Sequence, residues 1–348
     1  MLFLRRINNA KSVTGGQVYD NQLFDAIAKV SGKSPVVAVT SGKHHKNILK
    51  KLWQPVVVTI NGLRLSKSEK SVVFNSASCM YHLPLLLLLR MKGKKVMVIH
   101  HHYRYLLEKG IKRNVYRFME WAFLRTASYA ITPNPYVLGL MEKSDPKINT
   151  LYFPLHFDKT LHTGMTPVPG NLLYIGTIER RKGLKYLMEA LAVLKRKGVN
   201  LHLDIIGKVV EGDYAQDVKD IIERESLDVK MHGYVSAEEK DRFLREADIF
   251  TFPSLHEGYG LVLGEAQTYS LPIICFDNSA MPFTVKDGYN GILCKDRDAN
   301  AMAEAVERVV ADRELRARLS ENARKSVDRL ASEAEFLKAV KDSIQKIS

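Results

Sequence analysis

Cysteine is scarce in this chain: three in 348 residues, Cys79, Cys275 and Cys294, far apart and without a CxxC pair. That spacing excludes a disulfide framework and a structural zinc knuckle, and it points to a reducing, cytoplasmic setting. Long apolar runs are missing as well. No segment offers about 20 consecutive apolar residues for a membrane-spanning helix, and the opening MLFLRRINNAKSVTGG has too short an apolar run before its arginines for a secretory signal. Glycine (21) and proline (12) stand at ordinary levels, which excludes a collagenous or low-complexity chain. What the chain does have, 46% hydrophobic and 26% charged residues, suffices at this length to bury a core in each of two domains.

Negative charge is the other scarcity, and it is confined to one half. Residues 1–165 hold 25 Lys+Arg against 8 Asp+Glu, whereas residues 166–348 hold 27 against 30. The whole formal excess of +14 therefore belongs to the first half. A strongly basic half beside a near-neutral one suits an anionic partner, whether a membrane surface, a phosphorylated acceptor or nucleic acid; a solvated, solubilising surface is the plain alternative. An interleaved aromatic and basic RNA motif is absent, as is any recognisable DNA-reading module, so no nucleic-acid partner is expected.

Short β-branched runs alternate with longer helix-patterned segments. Strands are expected near Val36–Val39, Val56–Ile60, Val72–Phe74, Val96–Ile99, Ala130–Thr132 and Leu151–Phe153, then near Leu172–Ile175, Leu201–Ile206, Val229–Met231, Ile249–Phe252, Ile273–Phe276 and Gly291–Leu293. Runs of four to six apolar residues separated by helices are the pattern of parallel strands buried on both faces, and two doubly wound α/β domains follow. Between Leu155 and Leu172 the periodicity lapses among Gly164, Pro167, Pro169 and Gly170, which marks a linker. From Asn300 onward the sequence is helix-forming without Gly or Pro, enough for two or three helices. The expected domains are residues 1–160, a linker at 161–171, 172–329, and a C-terminal helix at 330–348 packing back toward the first domain. Two stretches invite a membrane reading: the apolar Leu83–Arg90, which also fits a core helix, and Arg104–Arg125, whose Lys109, Lys112, Arg113 and Arg117 are interleaved with aromatic and aliphatic residues.

The segment Pro253-SLHEGYGLVLGEAQ-Thr268 is the most informative. It follows a strand directly and runs into helix-forming sequence, so it lies at the carboxyl end of a parallel strand, where open α/β sheets bind ligands. Gly258 and Gly260 let backbone amides approach a ligand, and a helix opening near Gly260 turns its free N–H groups outward, an arrangement suited to a diphosphate. Glu257 precedes the glycines and Glu265 lies about two turns into the helix. The spacing Gly258-x-Gly260-x-x-x-Gly264 also loosely resembles a dinucleotide fingerprint with Asp277 as ribose ligand, but that fingerprint forms the turn immediately after the strand, and here five residues intervene. A purely structural turn is the remaining reading.

Glu257 and Glu265 form an E-x7-E pair that, with the surrounding HEGYGLVLGEAQ, closely resembles the donor-site motif of the retaining glycosyltransferases of family 4. The resemblance covers about residues 171–310, and the first half more loosely. It implies the GT-B architecture, two Rossmann-like doubly wound domains facing across a cleft, and transfer of a hexose from a nucleoside-diphosphate sugar with retention of configuration and no obligatory metal or other cofactor. Other landmarks fall in order: Leu173–Leu184 with Arg180, Arg181 and Lys182, Leu201–Gly207, His232–Glu239 with Tyr234 as a nucleobase-contacting loop, and Thr14–Tyr19 with Gly15 and Gly16 as an N-terminal phosphate loop. Positive charge at the turn carrying Lys182 suits a leaving diphosphate. On this resemblance the catalytic residues are His100, Glu257 and Lys182, and the donor-binding residues are Gly15, Gly16, Arg180, Arg181, Gly207, Tyr234, Gly258, Tyr259, Gly260, Leu261 and Glu265. Glu257 is assigned to the sugar hydroxyls and Glu265 to the ribose. His100 best matches the family's histidine beside the reacting sugar, with His101 next; a structural loop and a metal site are the rival readings of His100–His102, and no Cys or carboxylate is spaced to complete a metal site.

Two departures stand out. Thr177 follows Gly176 where the family usually has Arg, so Arg180 or Arg181 is expected to supply that charge, and Phe283 stands where a Glu is common. The acceptor is unassigned; the basic half favours a lipid-linked or phosphorylated one, with peripheral attachment at the inner face of a membrane. A non-catalytic sugar-nucleotide binder and a nucleic-acid-binding protein are the competing functions.

Overall fold

The computed structural model describes residues 2–5, 15–32, 36–39, 56, 59–67, 70–75 and 79–347. The chain divides into one unit of Met1–His156 with Glu333–Ser348 and a second of Phe157–Ser332.

In the first unit six strands, β1 (Leu2–Arg5), β2 (Val36–Val39), β3 (Ser71–Asn75), β4 (Lys95–Ile99), β5 (Tyr129–Thr132) and β6 (Thr150–Tyr152), form one parallel sheet in the order β2-β1-β3-β4-β5-β6. Register runs from Val72 opposite Val96 to Asn75 opposite Ile99, and from Met97 opposite Tyr129 to Ile99 opposite Ile131. Val72, Phe74, Val96 and Val98 are buried against Leu85, Leu86 and Leu89 of the helix Cys79–Met91 and Phe123 and Leu124 of the helix Gly110–Thr126. Leu83–Arg90 is thus a core helix. The helix Glu333–Ile347 returns to this unit: Phe336 packs edge-on to Tyr19, and Glu333 pairs with Lys29.

One expected strand is corrected. Val56 and residues 59–65 are helical, with Val57 and Val58 outside the described residues. Ile60 is 60% and Val56 42% exposed, so these two side chains lie on a helix surface while Leu63 packs on the core. Propensity lost to tertiary context there.

In the second unit β7 (Asn171–Ile175), β8 (His202–Ile206), β9 (Val229–Gly233), β10 (Ile249–Phe252), β11 (Ile273–Phe276) and β12 (Gly291–Cys294) form a parallel sheet in the order β12-β11-β10-β7-β8-β9. Strands β7, β10 and β11 are buried along their whole length, as expected of a sheet covered on both faces. The sequence of connections reverses direction between β7 and β10, and the crevice at such a switch point, at the carboxyl ends of the strands, is where open α/β sheets bind ligands. Three α-helices follow Asp298 among the described residues, Ala299–Ala311, Arg313–Ser326 and Glu333–Ile347, with the 3-10 turn Val327–Arg329 before the last. Among the described residues no helix is long and apolar enough to cross a membrane, and no group of three His, Cys, Asp or Glu is placed to hold a metal.

Within the first unit, Glu120 is a buried carboxylate that caps a turn. It accepts hydrogen bonds from the backbone N–H of Arg104 (2.7 Å) and of Tyr105 (3.3 Å), at the start of the 3-10 turn Arg104–Leu107. Burial pushes its pKa up to about 7 despite those bonds. A carboxyl whose folded pKa lies above its unfolded value stabilises the fold fully below the unfolded value of 4.5, and loses that contribution as pH rises through about 7. Urea titrations at pH 5 and pH 8 are therefore expected to show wild type losing stability relative to Glu120→Gln over this interval. The upper bound on the slope is about 1.4 kcal/mol per pH unit. A wild-type minus variant difference that stays flat with pH refutes the assignment.

Candidate active site in the second unit

The site is built at the switch point, where the connections leaving β7 and β10 lie side by side. After β7 the chain makes a 3-10 turn, Arg180–Lys182, and Gly183 (φ 66°) starts the helix Leu184–Arg196. After β10 it passes through Pro253–Tyr259, and Gly260 (φ 78°) starts the helix Leu261–Thr268. Neither N-cap glycine supplies a side-chain cap, and the Lys185 N–H of the first helix donates to Tyr214 Oη at 3.0 Å. The two connections are tied together, with the Leu255 N–H donating to Arg181 O at 2.8 Å.

Three donors converge on one oxygen of Glu257. Lys182 Nζ lies 2.5 Å, Ser254 Oγ 2.7 Å and Arg181 Nη1 3.2 Å from Glu257 Oε1. The carboxylate is buried, which by itself raises its pKa, but the Lys182 and Arg181 cations beside it hold the carboxyl down to about 2. Its backbone is fixed as well: the Glu257 N–H donates to Ser279 Oγ at 2.9 Å, on the loop after β11. Lys182 also stands 5.0 Å over the Phe252 ring, a cation–π contact at the end of β10.

The expected cations do different things. Arg181 reaches inward, bonding Glu257, the His256 carbonyl (2.9 Å) and Glu179 (2.6 Å), and Glu179 accepts from Thr177 Oγ1 at 2.9 Å. A relay Thr177–Glu179–Arg181–Glu257 thus links the position where an arginine was expected to the buried carboxylate. Arg180 turns outward to Glu211, Asp213 and Asp217, at 3.5–3.7 Å, and over the Tyr214 ring. It is not brought to Glu257.

The remaining expected residues are placed as follows. Gly207 ends β8 with φ 151°, and a Cβ there would stand 1.8 Å from Gly176 O, so the turns after β7 and β8 touch backbone to backbone. Gly258, Tyr259 and Leu261 are half-buried, and Tyr259 packs beside Phe157. Glu265 is not with Glu257; its carboxylate is paired with Lys240 of the helix Ala237–Glu246. Tyr234, after β9, and Val209 and Val210, after β8, expose their side chains.

His100, Gly15 and Gly16 belong to the first unit. His100 follows β4 and is buried, and its Nε2 has no hydrogen-bond partner among the described residues. Burial, with His102 and His101 adding to it, lowers its pKa to about 3, so the ring is neutral. His101 Nε2 lies 3.0 Å from Asp20 Oδ1, and a Cβ on Gly16 would stand 3.5 Å from its ring. Gly15 opens the helix Gly15–Ser31, whereas Thr14 lies outside the described residues. The sequence reading did not include Ser254, Ser279 or Lys240. Ser279 takes a positive φ of 45°, rare for a non-glycine residue, and the Asp-Asn-Ser turn composition was its only trace in the sequence.

A cavity of about 550 Å³ lined by Gly170, Asn171 and His202 opens at the opposite, amino-terminal ends of β7 and β8 and is separate from this site.

Comparison with solved structures decides the fold. The chain aligns over 99% of its length with 98% of sucrose-phosphate synthase from Thermosynechococcus elongatus, at TM-score 0.82 and 18% identity. It aligns equally fully with Anabaena HepE in complex with UDP and glucose, at TM-score 0.78 and 14% identity. The chain has the GT-B fold. Within it, residues 168–326 match the family model described as glycosyl transferases group 1. Curated relatives include alpha-D-kanosaminyltransferase of Streptomyces kanamyceticus, 32% identical over 44% of this chain and 39% of that protein. Another is the capsular polysaccharide biosynthesis glycosyltransferase CapM of Staphylococcus aureus, 28% identical over 44% of this chain and 40% of that protein. The matched stretch spans about two fifths of these relatives' length.

Proposed function

We propose that this protein is a retaining glycosyltransferase of family 4, moving a hexose from a nucleoside-diphosphate sugar to a lipid-linked or phosphorylated acceptor at an anionic membrane surface. One observation carries the reading: a buried, ionised Glu257 clamped by Lys182 and Arg181 at the switch point of the second sheet. In the reaction the bond from the anomeric carbon to the diphosphate breaks, negative charge collects on the departing phosphates, and the acceptor hydroxyl bonds to that carbon through its oxygen with net retention while its proton passes to the departing diphosphate. Lys182 and Arg181 supply positive charge beside the leaving group, and the amides after Gly183 and Gly260, with Leu261, donate to its oxygens. No metal or other cofactor enters this scheme.

Glu257 has its second oxygen for sugar hydroxyls, with Gly258 and Tyr259 shaping that end. Glu265 serves the ribose diol, and the exposed Tyr234 stacks the base. Gly207 keeps the neighbouring turn close enough to share the diphosphate. For the first unit the sequence resemblance assigns His100, with His101 next, to the sugar and Gly15 and Gly16 to the phosphates. The complexes of HepE with UDP-glucose and with UDP and glucose support a nucleotide-sugar donor.

The test is a thermal-shift panel of UDP, GDP, ADP and their sugars. A ligand that binds only the native state stabilises it by about 2.7 kcal/mol at a hundredfold excess over Kd, so at least one nucleotide is expected to raise Tm by several degrees. A panel in which none does so removes the donor site. Stabilisation without donor hydrolysis or transfer leaves a sugar-nucleotide binder instead.

A further inference from the structure

The helix Gly110–Thr126 has its hydrophobic residues on two opposite faces, and only one of them is used by the fold. Glu120, Phe123 and Leu124 turn inward. At 3.6 residues per turn, positions 111, 115, 118 and 122 form a stripe diametrically opposite that buried face. The stripe is apolar: Ile111 is 83%, Phe118 64% and Val115 47% exposed. Trp121, 41% exposed, borders it, with its ring 5.8 Å from that of Phe118. A helix that points aromatic and aliphatic side chains outward along its crest does so against the usual amphipathic pattern of a soluble surface.

Charge says what covers the crest. Lys112 lies beside it on one side and Arg117, past Trp121, on the other, both exposed; Arg113 is exposed too but falls at the angle of Glu120 and Leu124, and the helix's one acidic residue, Glu120, is on the buried face. An apolar ridge with a cation on either side, and with the Asp145 carboxylate beside Trp121 taken up by the Trp121 Nε1 at 3.1 Å and by Arg125 at 3.3 Å, matches the boundary between acyl chains and anionic headgroups. A protein partner burying the same ridge needs acids at both flanks, whereas a duplex of nucleic acid offers nothing to Ile111 and Phe118.

We propose that the helix Gly110–Thr126 lies in the plane of an anionic bilayer, with Ile111, Val115, Phe118 and Trp121 inserted at the acyl boundary and Lys112 and Arg117 paired to lipid phosphates. This deepens the membrane-surface part of the proposed function and rests on that reading for the acceptor's location alone; the docking face stands without the transfer chemistry.

The full-length chain is tested by flotation with phosphatidylglycerol-rich and pure phosphatidylcholine vesicles, at low and high salt. Wild type is expected to float with the anionic vesicles at least tenfold more than with the neutral ones. Ile111→Ser/Phe118→Ser is expected to lose about tenfold in partitioning at either salt, from lost apolar burial. Lys112→Glu/Arg117→Glu loses about fivefold or more per position, an effect that shrinks as salt rises. All four positions are exposed, so unchanged melting curves certify the variants as folded, and soluble-donor hydrolysis is read separately so that loss of docking and loss of the donor site are distinguished. Equal, negligible flotation with both vesicle types overturns the proposal. So does binding insensitive to the Ile111/Phe118 pair, or a concentration-dependent dimer, or a nucleic-acid complex, that the same substitutions abolish while vesicle binding persists.

Discussion

Replacing Lys182 by Met and Glu257 by Gln, singly and together, is expected to separate what this pair does for the fold from what it does for turnover. Each single change strands a buried charge. Lys182→Met leaves the Glu257 carboxylate with Arg181 and Ser254, and Glu257→Gln leaves two cations facing a neutral amide. Breaking a buried ion pair from one side costs about 3–5 kcal/mol, and the retained Arg181 puts Lys182→Met at the lower end. The double variant removes both charges and is expected to recover much of that loss, a coupling readable in a double-mutant cycle by urea denaturation. Turnover behaves otherwise. Each single variant is expected to lose a hundredfold or more in transfer or donor hydrolysis, Lys182→Met by removing a cation beside the departing diphosphate and Glu257→Gln by removing the carboxylate that holds the sugar hydroxyls, and the double variant stays as inactive as either. A stable double variant with turnover near wild type would show the pair to be a structural clamp and end its catalytic assignment. The pH arm has a definite sign: with the folded pKa of Glu257 near 2 and the unfolded value at 4.5, its stabilisation is complete above 4.5 and is lost only as pH falls toward 2.

Gly207→Ala is expected to be the most damaging single-methyl change in the second unit. The new Cβ would sit 1.8 Å from Gly176 O and 2.6 Å from Gly176 C, at a φ of 151° that alanine rarely adopts. Neither backbone is free to retreat, since Gly176 N donates to Ile206 O at 2.9 Å and Gly207 N to Gly233 O at 2.8 Å. Strain of about 1–3 kcal/mol from the dihedral alone adds to the clash, for a total of about 3–5 kcal/mol, with loss of nucleotide-dependent stabilisation. Gly198→Ala is the control: φ is also positive, at 84°, but no atom lies within 4 Å of the added carbon, so about 1 kcal/mol is expected there. Equal denaturation midpoints for the two variants would show that the contact between the turns after β7 and β8 does not constrain the fold.

The alternation of short apolar runs with helical segments was enough to locate most strands, because parallel strands buried on both faces carry their signal in composition alone. Ile249–Phe252 and Ile273–Phe276 are of this kind. Val56–Ile60 has the same composition yet is helical where described, since β-branched residues on a helix surface look like a strand until their exposure is known. At the site, Glu257 was legible because its loop compresses strand end, glycines and helix start into a dozen residues. The division of labour between Arg180 and Arg181 was not, because adjacent side chains on a 3-10 turn point apart and the turn's orientation is set by Gly183 and the Leu255–Arg181 bond. Ser279 and Lys240 reach the two glutamates from distant segments, a relation that sequence spacing does not encode.

The chain passes from the first unit into the second after His156 and comes back after Ser332. Phe336 and Val340, both wholly buried, therefore belong to a core whose other members were synthesised more than 170 residues earlier. The segment 157–332 is fully translated before the helix that packs on Tyr19 exists, although it follows the N-terminal sheet in the chain. Tyr19 keeps an unfilled flank until the residues after Ser332 deliver the aromatic ring that covers it.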